Sequence, residues 1–210
     1  SDVCSSDLVG EVRRVFAEKW KDLDLDTEGL EIQTAVDVNA DMIALRALRK
    51  GLREVDKRRG WRGPSGQLRE GEYRAKYGTV DLSDGEPHAA FVKSVSKGIA
   101  RVLVGTTELS LDLNEAGWAK KFLLKDESVR FGSPTEVVRA GDVIEVVARE
   151  RADGQVERDS KTSVRIALDQ TPDIEGALVL IDPFSGEVRS MIGGYDYTQS
   201  QFNRVTQSLR

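Results

Sequence analysis

With 210 residues, 39% of them hydrophobic and 32% charged, the chain can bury one or two cores beneath a heavily solvated surface. Its longest apolar run, residues 176–181, falls far short of the ~18 residues of a membrane span, and the N-terminus shows no basic-then-apolar leader pattern. Cys4 is the single cysteine and His88 the single histidine, which excludes an internal disulfide and gives no basis for a zinc site of three or four Cys/His ligands.

The net charge of −5 is unevenly spread. Residues 46–76 hold eleven Lys/Arg against four Asp/Glu, close to Trp61 and Tyr73, a composition that can grip a polyanion. The plainer reading is a helix end. Lys57, Arg58 and Arg59 close a predicted helix just before Gly60, where positive charge complements the helix dipole.

In chain order, residues 1–8 do not blend with the rest of the chain; they resemble a translated sequencing adaptor and read as an assembly scar, so Cys4 carries no functional weight. Val12, Val15, Phe16, Trp20 and Leu23 recur at helical spacing and predict a short amphipathic helix. Residues 30–36 alternate Leu30, Ile32, Thr34 and Val36 with polar neighbours and predict a strand. Asn39 is a fair N-cap for a helix whose stripe is Met42, Leu45, Leu48, Leu52 and Val55. Burying five such side chains is worth roughly 1.5–3 kcal/mol each, so that helix must dock.

Residues 60–72 read as a Gly/Arg-rich connector. Short strands are then expected around 77–80, 89–95, 99–104, 108–113, 143–148 and 164–168, with Gly98, Gly105, Gly141-Asp142 and Asp153-Gly154 as turns. One apolar helical piece, residues 118–124, interrupts them. This pattern predicts an α+β, mainly β fold built on a small Greek-key barrel, best matched by the OB-fold. After Gln170-Thr171-Pro172, residues 176–181 and 187–192 form a predicted hairpin, with Pro183 and Gly186 placed as a tight turn wants.

Two strings look catalytic as text. Ser94-Val95-Ser96-Lys97 fits Ser-x-x-Lys, and Lys161-Thr162-Ser163 is near Lys-Thr-Gly. The first spacing works only when one helical turn puts both side chains on one face, whereas Ser94 and Lys97 fall at a predicted strand end and hairpin. Lys161 lies in a polar run, and no Ser-x-Asn occurs. A Ser-His-Asp hydrolase would rest on His88, which follows the turn-like Asp84-Gly85-Glu86-Pro87 and is expected to be solvated.

The run from Gly176 to Tyr195, GALVLIDPFSGEVRSMIGGY, resembles the opening hairpin of a penicillin-binding transpeptidase domain, and Phe202-Asn203-Arg204-Val205-Thr206-Gln207 is similar to the segment that leads into its serine motif. Residues 30–37 and the run Asp56-Lys57-Arg58-Arg59-Gly60-Trp61-Arg62-Gly63-Pro64 resemble the linker between glycosyltransferase and transpeptidase. Residues 139–146 resemble a strand of an OB-like insert. Together the matches resemble a class A penicillin-binding protein of the 1A type.

The resemblance implies four segments: 1–8 the scar; 9–72 linker with strand and helices; 73–169 OB-like domain; 170–210 the incomplete start of a transpeptidase domain. It implies a parent that polymerises lipid-linked disaccharide-peptide and cross-links stem peptides in the periplasm, at the outer face of the cytoplasmic membrane. The acylated serine, in a Ser-x-x-Lys, is expected just beyond Arg210. No catalytic, cofactor-binding or metal residue is therefore assigned within the chain. The implied partners are the parent's other domains and, for the OB-like part, an outer-membrane lipoprotein activator. The alternative is a free-standing OB module binding single-stranded nucleic acid, which normally needs a basic groove and aromatics on the sheet face. Within residues 78–168 the aromatics are only Phe91, Trp118, Phe122 and Phe131, most of them expected in the core, and the basic excess lies mainly upstream, so no nucleic-acid partner is expected.

Overall fold

The computed structural model describes residues 6–25, 27, 29–126, 128–152, 154–159, 163–197 and 202–208. Cys4, Asp153, Lys161, Thr162 and Arg210 lie outside the described residues. In chain order the elements are α1 (Ser6–Lys19), α2 (Val38–Arg59), β1 (Gly66–Gln67), α3 (Glu70–Lys76), β2 (His88–Ser96), β3 (Ile99–Val104) and β4 (Thr107–Asp112). After 3-10 turns at Leu113–Glu115 and Gly117–Lys120 come β5 (Lys121–Leu123), β6 (Val129–Phe131), α4 (Pro134–Val137), β7 (Asp142–Ala148), β8 (Ile166–Asp169), β9 (Leu178–Ile181) and β10 (Val188–Ile192). The mainly-β, α+β class stands. Two compact units result, Arg53–Asp173 and Ser1–Leu52 with Ile174–Arg210, the division falling inside α2.

In Arg53–Asp173, β2, β3 and β4 form an antiparallel meander, and β7 returns to pair with β2. The registers put β1 and then β8 along the other edge of β7. Alternation works as the pleat demands: Ala90, Val92, Val102, Val104, Leu111, Ile144 and Val146 all point into one core and are almost fully buried. The opposite face of the sheet carries Phe91, Leu103 and Val143, covered by Tyr73 of α3. Tyr73 brings its own polar solution: its hydroxyl donates to the Ala89 carbonyl (2.8 Å) and accepts from Gly105 N–H (2.9 Å).

Turn chemistry sets the meander. Ser96 pairs with Ile99, leaving Lys97 (φ +51°) and Gly98 (φ +81°) as a two-residue turn with the φ signs of type I′. The expected closed barrel is not realised. β8 comes close to β4, but no hydrogen-bonded ladder joins them, because β4 turns into a 3-10 turn at Leu113 and β8 is four residues long.

Four other expectations are corrected. Residues 77–80 form no strand. The helical piece expected at 118–124 is a 3-10 turn followed by β5. The connector at 60–72 is part of the unit: Trp61 is 1% exposed, and its backbone exchanges bonds with Lys121 O and Leu123 N. Asp37, not Asn39, caps α2, its carboxylate accepting the N–H groups of Asn39 and Ala40.

In the other unit, residues 30–36 run without a ladder; a strand needs a partner edge, and Asp37 N–H to Arg189 O (3.0 Å) is the backbone bond nearest to one. The expected hairpin forms, β9 pairing with β10. Asp182 nucleates its turn, accepting the N–H groups of Phe184 and Ser185 on its side chain and of Gly186 on its carbonyl. Leu48 and Leu52 of α2 pack against Gly176, where a Cβ would sit 3.0 Å from Leu52. Val55 of the expected stripe is 46% exposed.

Candidate functional site

The textual Ser-x-x-Lys is built on a strand and a turn. Ser94 follows a bulge in β2, at the register shift between Val92 and Ser94, and Lys97 occupies the left-handed turn position. No hydrogen bond joins Ser94 to Lys97 among the described residues, and the two do not share a helical face. Of Lys161-Thr162-Ser163, only Ser163 is described; its carbonyl accepts from Asp159 N–H.

His88 departs from expectation. It opens β2 with its side chain 16% exposed, and its Nε2 lies 3.0 Å from Asp84 Oδ1. The turn before it brings the Asp84 carboxylate back onto the imidazole, which is half-buried rather than fully solvated.

The polar groups that converge most tightly do so at the closure of Arg53–Asp173. Asp56, on the buried face of α2, is fully buried and accepts from Arg62 Nη1 and Gln170 Nε2, both at 2.8 Å. Gln170 also donates to Gly60 O (3.0 Å) and accepts from Arg62 N–H. Asp169, 2% exposed, meets Lys57 Nζ at 2.9 Å and Arg53 Nε at 3.5 Å. Glu145 receives the Thr171 hydroxyl (3.0 Å) and its N–H. Buried carboxylates persist only when paired and hydrogen-bonded in this way. The network clamps the first turns of the unit to its last residues; its members lie in residues 53–62, at 145 and in residues 169–171, a separation that no local sequence pattern announces.

Part of the basic run is spent here: Arg53 and Lys57 pair with Asp169, and Arg62 pairs with Asp56. Of the aromatics within residues 78–168, Phe91 and Phe122 are core, Trp118 is covered by the Lys57 ammonium at 5.2 Å, and Phe131 alone among the four stands well exposed, at 77%. Phe131 shares the β5–β6 hairpin region with the exposed Leu124 and Val129.

Several clefts open on this unit among the described residues. One of about 290 Å³ is lined by the clamp itself, including Arg62, Glu145 and Gln170. A second, about 390 Å³, has Lys57, Glu115, Trp118, Arg149 and Glu157 around it, with Arg149 paired to Glu115. A third, about 670 Å³, lies between the β2–β3 turn and α4. Among the described residues no group of three His, Cys, Asp or Glu is placed to hold a metal ion, and no helix is long and apolar enough to cross a membrane.

The family model of the penicillin-binding protein OB-like domain matches residues 61–174. Penicillin-binding protein 1A of Rickettsia typhi is 32% identical over 87% of this chain and 21% of its own length. The protein of the same name from Pseudomonas aeruginosa is 31% identical over 88% of this chain and 21% of its own. The chain thus spans about a fifth of the length of these curated relatives. The crystal structure of penicillin-binding protein 1A from Haemophilus influenzae superposes with a TM-score of 0.67 over 98% of this chain and 28% of that one; at 23% identity it speaks for the fold.

Proposed function

The chain belongs to the penicillin-binding proteins of the 1A type, with an OB-like domain, and from that membership we propose that it is the non-catalytic middle of a peptidoglycan synthase. The observation that carries the reading is the placement of Ser94 and Lys97 on a strand and its turn: the one Ser-x-x-Lys string is in a geometry that cannot activate a serine. In this reading the glycan-polymerising and cross-linking activities belong to the parent protein, at the outer face of the cytoplasmic membrane. The cross-linking serine then lies beyond Arg210, in a Ser-x-x-Lys that opens a helix.

The OB-like unit would act as spacer and docking module. Its supports are a self-contained core, a clamp that fixes its two ends together, and the exposed Leu124, Val129 and Phe131 as an apolar contact point. An outer-membrane lipoprotein activator is the partner class the family resemblance suggests. Nucleic acid is not a partner in this reading.

A fluorescent penicillin followed by a denaturing gel tests it. The 210-residue chain should take no label, since removing even one oxyanion donor costs ~10²–10³ in rate and here the whole constellation is missing. The gene product extended through a transpeptidase domain should label. A band on the 210-residue chain that Ser94→Ala abolishes would overturn the non-catalytic reading.

A further inference from the structure

The 670 Å³ cleft between the β2–β3 turn and α4 differs in charge from the rest of Arg53–Asp173. Its polar lining is Ser94, Lys97, Asn114, Thr135 and Arg139, with no carboxylate, in a chain of net charge −5. Elsewhere in the unit Arg53, Arg62, Arg149 and Arg165 all sit on carboxylates. Here Lys97 makes no ion pair among the described residues, and the Arg139 guanidinium donates to a neutral carbonyl, that of Val138, at 3.0 Å.

The backbone beneath both cations is fixed by its neighbours. Lys97 takes φ +51° at the first central position of the type I′ turn, where glycine or asparagine is the usual occupant. Gly98 backs so closely onto Asn114 that a Cβ would fall 2.3 Å from its amide, which fixes the turn against the 3-10 segment. On the other side Arg139 N–H donates to Asp142 (2.7 Å) and Gly141 N–H to Val92 O (2.8 Å), pinning the arginine's loop to β2.

We propose that this cleft binds a carboxylate-bearing glycopeptide strand, the chemistry of an uncross-linked stem peptide, and so gives the OB-like unit a hold on the parent's polymer. The inference rests on the synthase reading for its ligand. The Arg139 guanidinium and the Lys97 ammonium line the same cleft and suit an oxyanion; the Ser94 and Thr135 hydroxyls and the Asn114 amide suit peptide groups and sugar hydroxyls. The volume falls within the roughly 300–1,000 Å³ range of ligand-binding clefts. Single-stranded nucleic acid fits less well, because no aromatic side chain lines the cleft for a base to stack on.

The test is an amide-shift titration of the whole chain with a soluble disaccharide-peptide carrying free carboxylates. The same ligand with amidated carboxylates, inorganic phosphate and a single-stranded oligonucleotide run alongside. Saturable shifts should centre on Gly98, Asn114, Thr135 and Ala140. They should weaken about fivefold in Arg139→Gln, and similarly in Lys97→Gly, which removes the charge while suiting the turn, and on amidation. No response at those amides, a response untouched by both substitutions, or an equal response to phosphate or oligonucleotide overturns the inference. If the extended gene product still binds penicillin, that failure is confined to this cleft. If it does not, the ligand assignment loses its premise and falls with the synthase reading.

Discussion

In Arg53–Asp173 the alternating strands hide one apolar face completely, whereas in the other unit β9 leaves Val179, Leu180 and Ile181 between 39% and 54% exposed. Each unit also buries polar side chains. Around β10 they include Asp7, Asp41, Ser190 and Asn203, and the bonds are polar: Ser190 Oγ to Asp41 (2.6 Å) and Gly193 N–H to Asp7 (2.9 Å). A two-stranded sheet is marginal in water, and hydrogen bonds net only about 1 kcal/mol each. Stability should therefore reside in Arg53–Asp173, with the other unit held by a handful of replaceable contacts.

Trp61→Ala should be the largest perturbation. The indole is buried against Phe122, ring centroids 5.4 Å apart, and its loss should cost about 3–5 kcal/mol of the unit's stability in urea. A near-neutral result would return residues 60–72 to the status of a connector. Asp56→Ala comes next, at about 3 kcal/mol, because Arg62 and Gln170 lose their shared acceptor. Gly105→Ala should cost about 2 kcal/mol: the residue needs φ +58°, and a Cβ would sit 2.4 Å from Gly78 O.

Asp7 sharpens the contrast through pH. Burial pushes its carboxyl above the ordinary value, with the Gly193 N–H and Arg204 opposing. The folded state then keeps a proton that the unfolded chain has lost. Stability of α1 and β10 should fall as pH rises from the ordinary carboxylate value through the raised one, and stay level beyond it. Urea unfolding read at amide resonances of α1 and β10 should show that slope in the native chain and lose it in Asp7→Asn. The smallest effect belongs to Phe184→Ala, at 99% exposure: within about 0.5 kcal/mol.

Local chemistry made much of the fold legible. Gly98, Gly105 and Gly186 mark turns that the structure uses, and the alternation in residues 108–113 and 143–148 falls on strands β4 and β7 with the expected inward faces, Leu113 alone passing into a 3-10 turn. What stayed hidden depends on distant partners. The pattern at Leu30 to Val36 is a strand's, but pairing is decided by an available edge. Trp61 reads as a linker residue until Lys121 and Phe122 arrive beside it. The buried face of α2 carries Asp41, Arg53 and Asp56, because its partners there are Ser190, Asp169 and Gln170, and charges outside the apolar stripe read as solvated. The 94–97 string was legible for the converse reason: its strand-then-glycine context is local.

Hydrogen exchange along the native chain tests the division of stability most directly. Amides of β2, β3, β4 and β7 should exchange slowest and as one cooperative group, while α1, the first turns of α2 and the β9–β10 hairpin exchange well before them. Equal protection throughout, or a hairpin that outlasts the meander, would contradict the account.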